Sequence, residues 1–450
     1  MDVFMNFLQT VSNIVWGPAM LVLLIGTGVY LTIGLRFFTF RHIFTAFRML
    51  KRGCASSAEK GELSPFNALM TALAGTIGTG SIVGVATAIM AGGPGALFWM
   101  WCTALVGMAT KFAEILLAVH FREVTPTGNI VGGAMYFIRN GLGRRWQWLG
   151  TAFACFTAIT CFGTGNAVQA NAISGVLQEA LHIPAWMTAV VLFLLVAAVI
   201  LGGIRRIGNV AGRIVPVMVF VYIVAALVIL ALNIGHVPAM IALVVKQAFT
   251  PTAATGGFAG ASVMMAIRYG MARGVFANEA GLGSGPIAHA TATATPVRQA
   301  TIGMLDVFVT TMIVCSMTGF AILVTGQWTE AGIQGASLTA QAFESALPGV
   351  GALIVALSLV LFAFTTILGW CVYGERCAIY LFGDKILRPF RVLYTIVVPL
   401  GALTQLDLVW MLADVFNALM AAPNLIGVLL LSPVVFKMAR EAEAERFYEK

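Results

Sequence analysis

Long apolar stretches recur along the whole chain and are separated by shorter polar segments. A transmembrane helix needs about 20 predominantly apolar residues. Eleven stretches approach or exceed that length, and their bounds are 14–35, 64–91, 95–121, 147–180, 186–204, 213–233, 258–295, 299–325, 349–377, 390–405 and 408–436. The pattern predicts an all-α integral membrane protein with about 11 spans.

Composition and charge agree with this prediction. Of the 450 residues, 60% are hydrophobic and 10% charged, whereas soluble domains are roughly 45–50% apolar and 25% charged. The net charge of +8 does not indicate nucleic-acid binding, because the basic residues are concentrated at the ends of the apolar stretches. Most of them follow the odd-numbered stretches, and the exceptions are Lys111, Lys246, Arg268 and Arg273. Since cytoplasmic loops carry the excess of lysine and arginine, we expect the N-terminus outside and the C-terminus in the cytoplasm, in the cytoplasmic (inner) membrane of a prokaryote.

The second apolar stretch carries a cluster of glycine and hydroxyl residues at its centre. Glycine costs about 1 kcal/mol relative to alanine inside a helix, so such a cluster at mid-membrane depth requires a reason. Free backbone N–H and C=O groups are tolerated at that depth where they line a cavity. We therefore interpret segment 64–95 as a discontinuous helix whose break binds a small ligand and an ion, with close helix packing as the alternative. The cluster consists of Gly75, Thr76, Gly78, Thr79, Gly80, Ser81 and Gly84.

A second glycine-rich break opens the second half of the chain. The sequence GLGS at 281–284 echoes GTGS at 78–81. Without the first span ten remain, and each set of five opens with one of the two breaks, so the odd number per set inverts the second copy in the membrane. We predict four parts, which are an extra N-terminal span with an interfacial helix (1–63), a first five-helix repeat (64–257), a second, inverted repeat (258–436) and a cytoplasmic tail (437–450).

The groups exposed by the first break suit a carboxylate and a cation. After Gly80, the N–H groups and the positive end of a half-helix dipole suit a carboxylate. Before Gly78, the free carbonyl groups around Ala74, Gly75 and Ile77 suit a hard cation such as Na⁺. The break therefore predicts neighbouring sites for a small ligand and for Na⁺.

In the second break, Asn278 and Glu279 stand beside the glycines. The Asn278 amide both donates and accepts hydrogen bonds, so it suits a zwitterion or an ion. A carboxylate inside the membrane is expensive and indicates function. For Glu279 we expect chiefly a structural role, with proton binding or pairing with a buried cation as the alternatives.

Two later spans carry polar residues that face inward in this interpretation. At mid-span, Gln169 either contacts a ligand or bonds to a neighbouring helix. It shares one helical face with Phe162, Asn166 and Ile173. In the ninth stretch, the hydroxyls of Thr365 and Thr366 either complete a Na⁺ shell or bond to their own helix. One turn away, Trp370 is placed to wall the pocket and limit substrate size.

The remaining charged residues leave some alternatives open. Lys111 and Glu114 lie at i, i+3 and can pair with each other. A proton-coupled transporter would use Glu279, Asp306 or Asp414, and this is the nearest rival to Na⁺ coupling. An ion channel is a rival from another class, although two inverted breaks in one chain argue against it. No HExxH, GxSxG or GxxxxGK[ST] motif occurs, so we expect no enzyme and no catalytic residue.

Two long segments resemble a known family. GTIGTGSIVGVATAIMAGGPGALFWMW (75–101) and GVFANEAGLGSGPIAHATA (274–292) are similar to the signature segments of the alanine/glycine:cation symporters, also called the sodium:alanine symporter family. The resemblance covers nearly the whole chain. It implies a LeuT-type 5+5 inverted-repeat core with an added N-terminal helix, and import of alanine or glycine with Na⁺, sometimes H⁺.

By this resemblance, specific residues acquire expected roles. The substrate would be bound by Gly78, Thr79, Gly80, Gln169, Phe276, Asn278, Thr366 and Trp370. The sodium ion would be bound by the carbonyl groups of Ala74 and Ile77 with the hydroxyls of Thr365 and Thr366. One departure is Ser81, because the family commonly reads GTGN where this chain has GTGS. We expect a monomeric symporter that works by alternating access, whose partners are a small neutral amino acid, Na⁺ and the lipid bilayer; the choice among alanine, glycine and serine stays open.

Overall fold

The computed structural model describes residues 10–11, 15–52, 61–253, 260–330, 335–404 and 407–445, without the side chains of 407–410 and 413–414, and it is nearly all helical over this range. The α-helices are α1 (Pro18–Gly34), α2 (Phe38–Arg41), α3 (Ile43–Arg52), α4 (Pro65–Thr76), α5 (Val85–Gly92), α6 (Gly95–His120), α7 (Ala134–Leu142), α8 (Gln147–Phe162), α9 (Val168–Leu181), α10 (Ala185–Ile200), α11 (Gly203–Leu232), α12 (Val237–Gln247), α13 (Val263–Asn278), α14 (Gly285–His289), α15 (Pro296–Gly303), α16 (Leu305–Val307), α17 (Ser316–Val324), α18 (Gly335–Ala346), α19 (Gly351–Phe382), α20 (Leu387–Leu403) and α21 (Asp407–Ala444).

Short π-helical and 3₁₀ turns connect several of these helices. The π-helical turns are Gly80–Gly84, Gly163–Ala167 and Phe308–Cys315, and the 3₁₀ turns are Arg144–Trp146, Gln327–Thr329 and Asp384–Ile386. A π-helical turn inside a helix frequently marks a functional site. One antiparallel hairpin, β1 (Glu123–Val124) with β2 (Ile130–Val131), links α6 to α7, and its register pairs Glu123 with Val131.

The helices have the length and hydropathy of a multi-pass membrane protein. Within the described residues, seven segments are long and apolar enough to cross a bilayer. A bent pair formed by Pro65–Thr76 and Gly80–Gly92 raises the number to eight. Each of the eleven predicted stretches contains a helix, and α1 and α10 are among the shorter apolar helices. Helices α7, α12 and α18 lie between predicted stretches, and none exceeds 12 residues, which is too short to span.

The N-terminal region turns sharply before the predicted interfacial helix. Arg36 and Phe37 both adopt positive φ, at 52° and 60°, which ends the path of α1. Helix α3 then buries Ala46 and Met49 and exposes Phe44 and other side chains. Its basic and aromatic exposed face fits an interfacial helix, which stays a prediction.

Helix α13 packs against α6 through glycines, and this contact positions the second break. A Cβ atom at Gly270 would lie 2.4 Å from the carbonyl oxygen of Ala96, and one at Gly274 would lie 2.3 Å from Oγ1 of Thr103. Only glycine permits so close an approach of the two backbones. The sequence of α13 therefore fixes which of its faces turns away from α6.

Candidate functional site

The first predicted break is present in the structure. Helix α4 ends at Thr76, and Ile77 leaves the helical region with φ −81° and ψ 85°. The two halves of the segment are bent by 55°. The hydrogen bond from the Gly78 N–H reaches only to the Thr76 carbonyl, at 3.1 Å, so the regular helical pattern is interrupted. The glycine cluster read from the sequence marks this interruption.

The second break follows α13 and is built on left-handed residues. Glu279 has φ 53°, Gly281 has φ 91° and Gly283 has φ 78°. A positive φ is uncommon for a residue other than glycine, so the backbone at Glu279 is held by its surroundings. Helix α14 starts at Gly285, after the turn. Both breaks therefore interrupt helices at the glycine-rich segments.

A small cavity lies where the two breaks meet. Its volume is about 20 Å³, which is room for about one water molecule. Main chain from the first break forms one side, and the rings of Phe276 and Trp370 contribute to the rest. The lining residues are Gly75, Thr76, Gly78, Thr79, Gly80, Thr164, Gln169, Phe276, Glu279, Leu282, Thr366, Trp370 and Asn417.

Most residues predicted to bind substrate line this cavity. Nε2 of Gln169 donates to Oγ1 of Thr79 at 3.3 Å and to the carbonyl of Thr164 at 3.0 Å, whereas its buried Oε1 has no hydrogen-bond partner among the described residues. A Cβ atom at Gly80 would lie 3.0 Å from the Phe276 ring, so this ring packs directly over the break. The members that line the cavity are Gly78, Thr79, Gly80, Gln169, Phe276, Thr366 and Trp370.

Asn278 does not line the cavity. Its side-chain oxygen accepts a hydrogen bond from the Ala280 N–H at 2.9 Å, which caps the end of α13. This local bond competes with the ligand contact expected from the sequence, as asparagine commonly does at helix ends. Asn166, which was placed on the same face as Gln169, donates to the carbonyl of Tyr394 at 2.7 Å and so points to α20.

Of the two threonines predicted to bind Na⁺, only Thr366 is directed towards the first break. Oγ1 of Thr366 lies 3.4 Å from the carbonyl oxygen of Ile77, at the first break, and 2.9 Å from that of Phe362. Oγ1 of Thr365 donates within its own helix, to the carbonyls of Leu361 and Phe362 at 3.0 Å each. Ala74 and Ile77 are fully buried at the end of α4.

Helix α19 meets α4 backbone to backbone beside these residues. A Cβ atom at Gly369 would lie 2.6 Å from the Gly75 nitrogen and 3.0 Å from the Thr71 carbonyl oxygen. A Cβ atom at Gly78 would lie 2.6 Å from Oγ1 of Thr366. These glycines bring the hydroxyl-bearing face of α19 against the first break.

Glu279 lines the cavity and links the second break to the unbroken helix α19 through hydrogen bonds. Its Oε1 accepts a hydrogen bond from Nε1 of Trp370 at 3.1 Å, and its Oε2 accepts one from Oγ of Ser284 at 2.5 Å. The residue is 4% exposed and lines the cavity. Both carboxylate oxygens are therefore held by neutral donors, which agrees with the structural role expected from the sequence.

A buried ion pair lies next to the cavity and corrects one expectation. Nζ of Lys111 lies 3.1 Å from Oδ2 of Asp306, so the pairing of Lys111 with Glu114 was the wrong choice of partner. Oδ1 of the same aspartate accepts from Oγ1 of Thr76 at 2.6 Å, at the end of α4. Periodicity along one helix found a neighbour three residues away, whereas the partner comes from a distant helix.

Glu114 instead supports the second break. Its Oε1 accepts from Nδ2 of Asn424 at 2.5 Å, and the same amide donates to the Gly281 carbonyl at 2.9 Å. Asn424 thus ties α21 and α6 to the left-handed turn. The side chain of Asp414, the third candidate proton site, lies outside the described residues.

Sequence reasoning missed two asparagines of the last helix. Asn417 lines the cavity and donates to Oγ1 of Thr164 at 3.1 Å, and Asn424 holds the second break. The two lie at i, i+7, which places them on one helical face. Two amides on one face of an apolar stretch are a usable signal, because a polar side chain in the membrane usually faces the bundle interior.

A second ion pair, whose residues do not line the cavity, joins α19 to the segment before α4. Nη2 of Arg376, on α19, lies 3.0 Å from both carboxylate oxygens of Glu62. Oε1 of Glu62 also accepts from the Ile130 N–H of strand β2 at 2.6 Å. Next to it, Leu63 pairs with Ala292, beyond the end of α14. This group joins the start of the first broken helix, the end of the second, the hairpin and α19.

Two discontinuous helices that meet at a small cavity in a multi-pass helical protein are typical of a secondary active transporter. The chain matches the Sodium:alanine symporter family over residues 1–449. It is 47% identical over 438 residues to the sodium/alanine symporter AgcS of Methanococcus maripaludis, covering 96% of each chain. It is 48% identical over 439 residues to an uncharacterized transporter of Haemophilus influenzae, covering 97% of this chain and 95% of that one.

A solved structure agrees on the fold. A Na⁺-coupled sialic acid symporter in an outward-open state superposes with a TM-score of 0.59 at 12% identity, covering 93% of this chain and 98% of that one. The fold is thus LeuT-like. The chain belongs to the sodium:alanine symporter family. It is a transporter rather than an enzyme, and Na⁺ is its co-transported ion.

Proposed function

We propose that the protein imports alanine or glycine with Na⁺ across the cytoplasmic membrane by alternating access. The observation that carries this proposal is the small cavity between the two breaks. The cavity of about 20 Å³ must enlarge to admit any amino acid, and the two aromatic rings beside it favour a small side chain. Trp370 and Phe276 are the bulky walls that would exclude larger amino acids.

The polar groups around the cavity suggest how the substrate would lie. Its carboxylate would bind at Thr79 and Gly80, where the second half of the broken helix presents N–H groups and the positive dipole end. Its ammonium group would bind Oε1 of Gln169, a buried acceptor without a partner among the described residues. A buried acceptor of this kind gains most from a charged donor. Thr366 would contact both substrate and ion.

The proposed Na⁺ site lies beside the substrate. Its ligands would be the carbonyl oxygens of Ala74 and Ile77 and the hydroxyl oxygen of Thr366, all oxygens as a hard cation requires. The 3.4 Å distance from Oγ1 of Thr366 to the Ile77 carbonyl supports this grouping. Thr365 would join only after its hydroxyl leaves the carbonyls of its own helix. Binding of either ligand would stabilise the same conformer and so raise the affinity for the other.

The proposed transport cycle uses two inverted five-helix repeats, 64–257 and 258–436, after an extra N-terminal span, giving about 11 spans. With the N-terminus outside, the contacts around Glu62 and Arg376 would close the cytoplasmic end. Opening that end would require the Glu62–Arg376 pair and the Leu63–Ala292 pairing to separate. The cavity would then open to the cytoplasm as the repeats move against each other.

The test is uptake of radiolabelled alanine into proteoliposomes that contain the full chain. An inward Na⁺ gradient is compared with an equal choline gradient at fixed pH, with unlabelled glycine, serine and glutamine as competitors. Accumulation with Na⁺ alone supports the proposal. Equal accumulation with both cations would indicate proton coupling and direct attention to Glu279 and Asp306, while no uptake would refute the proposed substrate.

A further inference from the structure

Arg273 is a charged residue well inside a predicted span with no assigned role. It lies ten residues after the start of α13 at Val263, which is about 15 Å along the helix axis. The side chain is half-buried. A charged side chain at such depth is costly unless it meets a counter-charge or faces a water-filled cavity.

No carboxylate supplies the counter-charge within the part of the chain that the structure describes. The ion pairs of these residues do not include Arg273. Its contact is with Phe276, whose ring centroid lies 5.8 Å from the guanidinium carbon. The attraction of a cation to an aromatic ring is too weak to offset the desolvation of a guanidinium. Arg273 therefore needs water at this position.

The direction of that water follows from the faces of α13. Tyr269, Arg273 and Phe276 recur at i, i+4 and i+7, so they share one face, and all three are half-buried. The face that carries Gly270 and Gly274 packs against α6. The face of Tyr269 and Arg273 thus continues directly to Phe276, which lines the cavity.

A second arginine on the same helix has different surroundings. Arg268 lines a large apolar groove between α13 and α1, together with Met264, Ile267 and Met271. On a helical projection this group lies on the side of α13 opposite to the face of Arg273 and Phe276. The Arg268 guanidinium lies 6.0 Å from the ring centroid of Tyr269 and, unlike Arg273, does not contact Phe276. Substitution of Arg268 therefore controls for the loss of an arginine from α13 without the contact to the cavity wall.

We propose that Arg273 is an outer binding site for the carboxylate of the transported amino acid. This inference rests on the proposed function. The guanidinium binds the carboxylate before the cavity opens, because arginine presents two parallel N–H donors to a carboxylate. Phe276 lies between this outer site and Gly80, where its ring packs over the first break. When the ring moves aside, the carboxylate passes from the guanidinium to the N–H groups of the break.

The experiment compares R273Q, R273K and R268Q with the unmodified protein in proteoliposomes. Initial rates of radiolabelled alanine uptake are measured over a range of alanine concentrations at fixed Na⁺, at low and at high ionic strength set with choline gluconate. We expect R273Q to raise the KM about tenfold and to leave Vmax within about twofold, which corresponds to about 1.4 kcal/mol of lost binding. R273K should fall between, because it keeps the charge but loses the paired donors, and R268Q should match the unmodified protein.

Ionic strength gives a second readout that a structural defect would not imitate. Attraction by a guanidinium that faces water is screened by salt, so Vmax/KM of the unmodified protein should fall at high ionic strength and that of R273Q should not. An unchanged KM in R273Q, or an equal loss in R268Q, would overturn the outer site while leaving the proposed function intact. Replacing gluconate by chloride at equal ionic strength tests another occupant, because a change in uptake that is absent from R273Q would overturn the carboxylate site and assign Arg273 to chloride. Absence of Na⁺-driven uptake by the unmodified protein would overturn both proposals.

Discussion

The indole nitrogen of Trp370 and the carboxylate of Glu279 are joined by a hydrogen bond of 3.1 Å. This bond links the unbroken helix α19 to the left-handed turn of the second break. The second oxygen of the carboxylate is held by Ser284. A wall of the cavity and the turn that forms the break are therefore one bonded unit, and the bond is open to direct test.

Replacing Trp370 with phenylalanine removes the N–H donor and keeps an aromatic ring. Loss of one partner of a buried hydrogen bond costs about 1–3 kcal/mol, so we expect uptake by W370F to fall about tenfold or more. E279Q should be milder than E279A, because an amide oxygen still accepts from the indole and the Ser284 hydroxyl can rotate to accept from the amide. Initial uptake rates normalised to purified protein would measure this. Equal loss in E279Q and E279A would mean that the negative charge matters, which would favour proton or cation binding at Glu279.

Two glycines of the first break offer a matched pair of substitutions. A Cβ atom at Gly78 would lie 2.6 Å from Oγ1 of Thr366, whereas one at Gly84 would meet nothing within 4 Å. We expect G78A to abolish most uptake by displacing the Thr366 hydroxyl, and G84A to retain most of it. Uptake and gel-filtration profiles of both variants would be compared. A G84A defect as severe as that of G78A would show that backbone flexibility, and not the contact with Thr366, requires glycine here.

Thr366 and Thr365 are neighbours that should respond differently to loss of the hydroxyl. Thr366 faces the Ile77 carbonyl, and Thr365 bonds to its own helix. We expect T366A to raise the Na⁺ concentration for half-maximal uptake about tenfold, the effect of losing about 1.4 kcal/mol, and T365A to shift it less than twofold. A titration of alanine uptake against Na⁺ measures both. Unchanged Na⁺ dependence in T366A would remove this residue from the ion site.

Removing one member of the buried pair of Lys111 and Asp306 should lower stability more than replacing both members with apolar residues. Removing one member leaves an uncompensated buried charge, which costs about 3–5 kcal/mol, whereas apolar replacement of both is often neutral. We therefore expect D306N to lower the melting temperature in detergent, and the double substitution K111M/D306L to recover stability. The double variant would still lose the acceptor for Thr76 at the first break, so its uptake should stay low. Full uptake by the double variant would show that the pair has no function beyond stability.

The Glu62–Arg376 pair should control access from the cytoplasmic side. Arg376 is 1% exposed, and its partner also accepts from the hairpin at Ile130. We expect R376Q to shift the population towards the conformer open to the cytoplasm. A cysteine introduced at Leu63 would then react faster with a membrane-impermeant maleimide in inside-out vesicles. The charge-exchanged variant E62R/R376E serves as the control, and reactivity that stays low in R376Q would remove the pair from the closing contacts.

The sequence was sufficient to locate the breaks and several cavity residues. Glycine clusters encode the breaks locally, because the departure from helical geometry happens where the glycines are. Helical periodicity was wrong for Asn166, which lies in the π-helical turn Gly163–Ala167 and points to α20 instead of sharing the orientation of Gln169. It was correct for Thr366 and Trp370, which lie one turn apart on α19 and both line the cavity. Features that depend only on residues close in sequence can be predicted without knowing how distant helices pack.

Contacts between segments that are distant in sequence could not be predicted in this way. Lys111 meets Asp306 and not Glu114, since the choice depends on how two remote helices pack. Asn278 has the chemistry of a ligand residue but caps its own helix, because the turn at Glu279 brings the Ala280 N–H within reach. Asn417 has a role that appears only when α21 is placed against the turn that carries Thr164.

The main-chain wall of the cavity has an evolutionary consequence. In the proposed orientation, the carboxylate common to all amino acids would bind backbone N–H groups. Among amino-acid substitutions, only one to proline removes a backbone N–H. In that orientation the side chain of the substrate would face Phe276, Leu282 and Trp370, whose own side chains can be replaced by smaller ones through substitution. After gene duplication, a carrier of this kind can therefore acquire specificity for amino acids with other side chains. Its recognition of the amino-acid carboxylate stays intact.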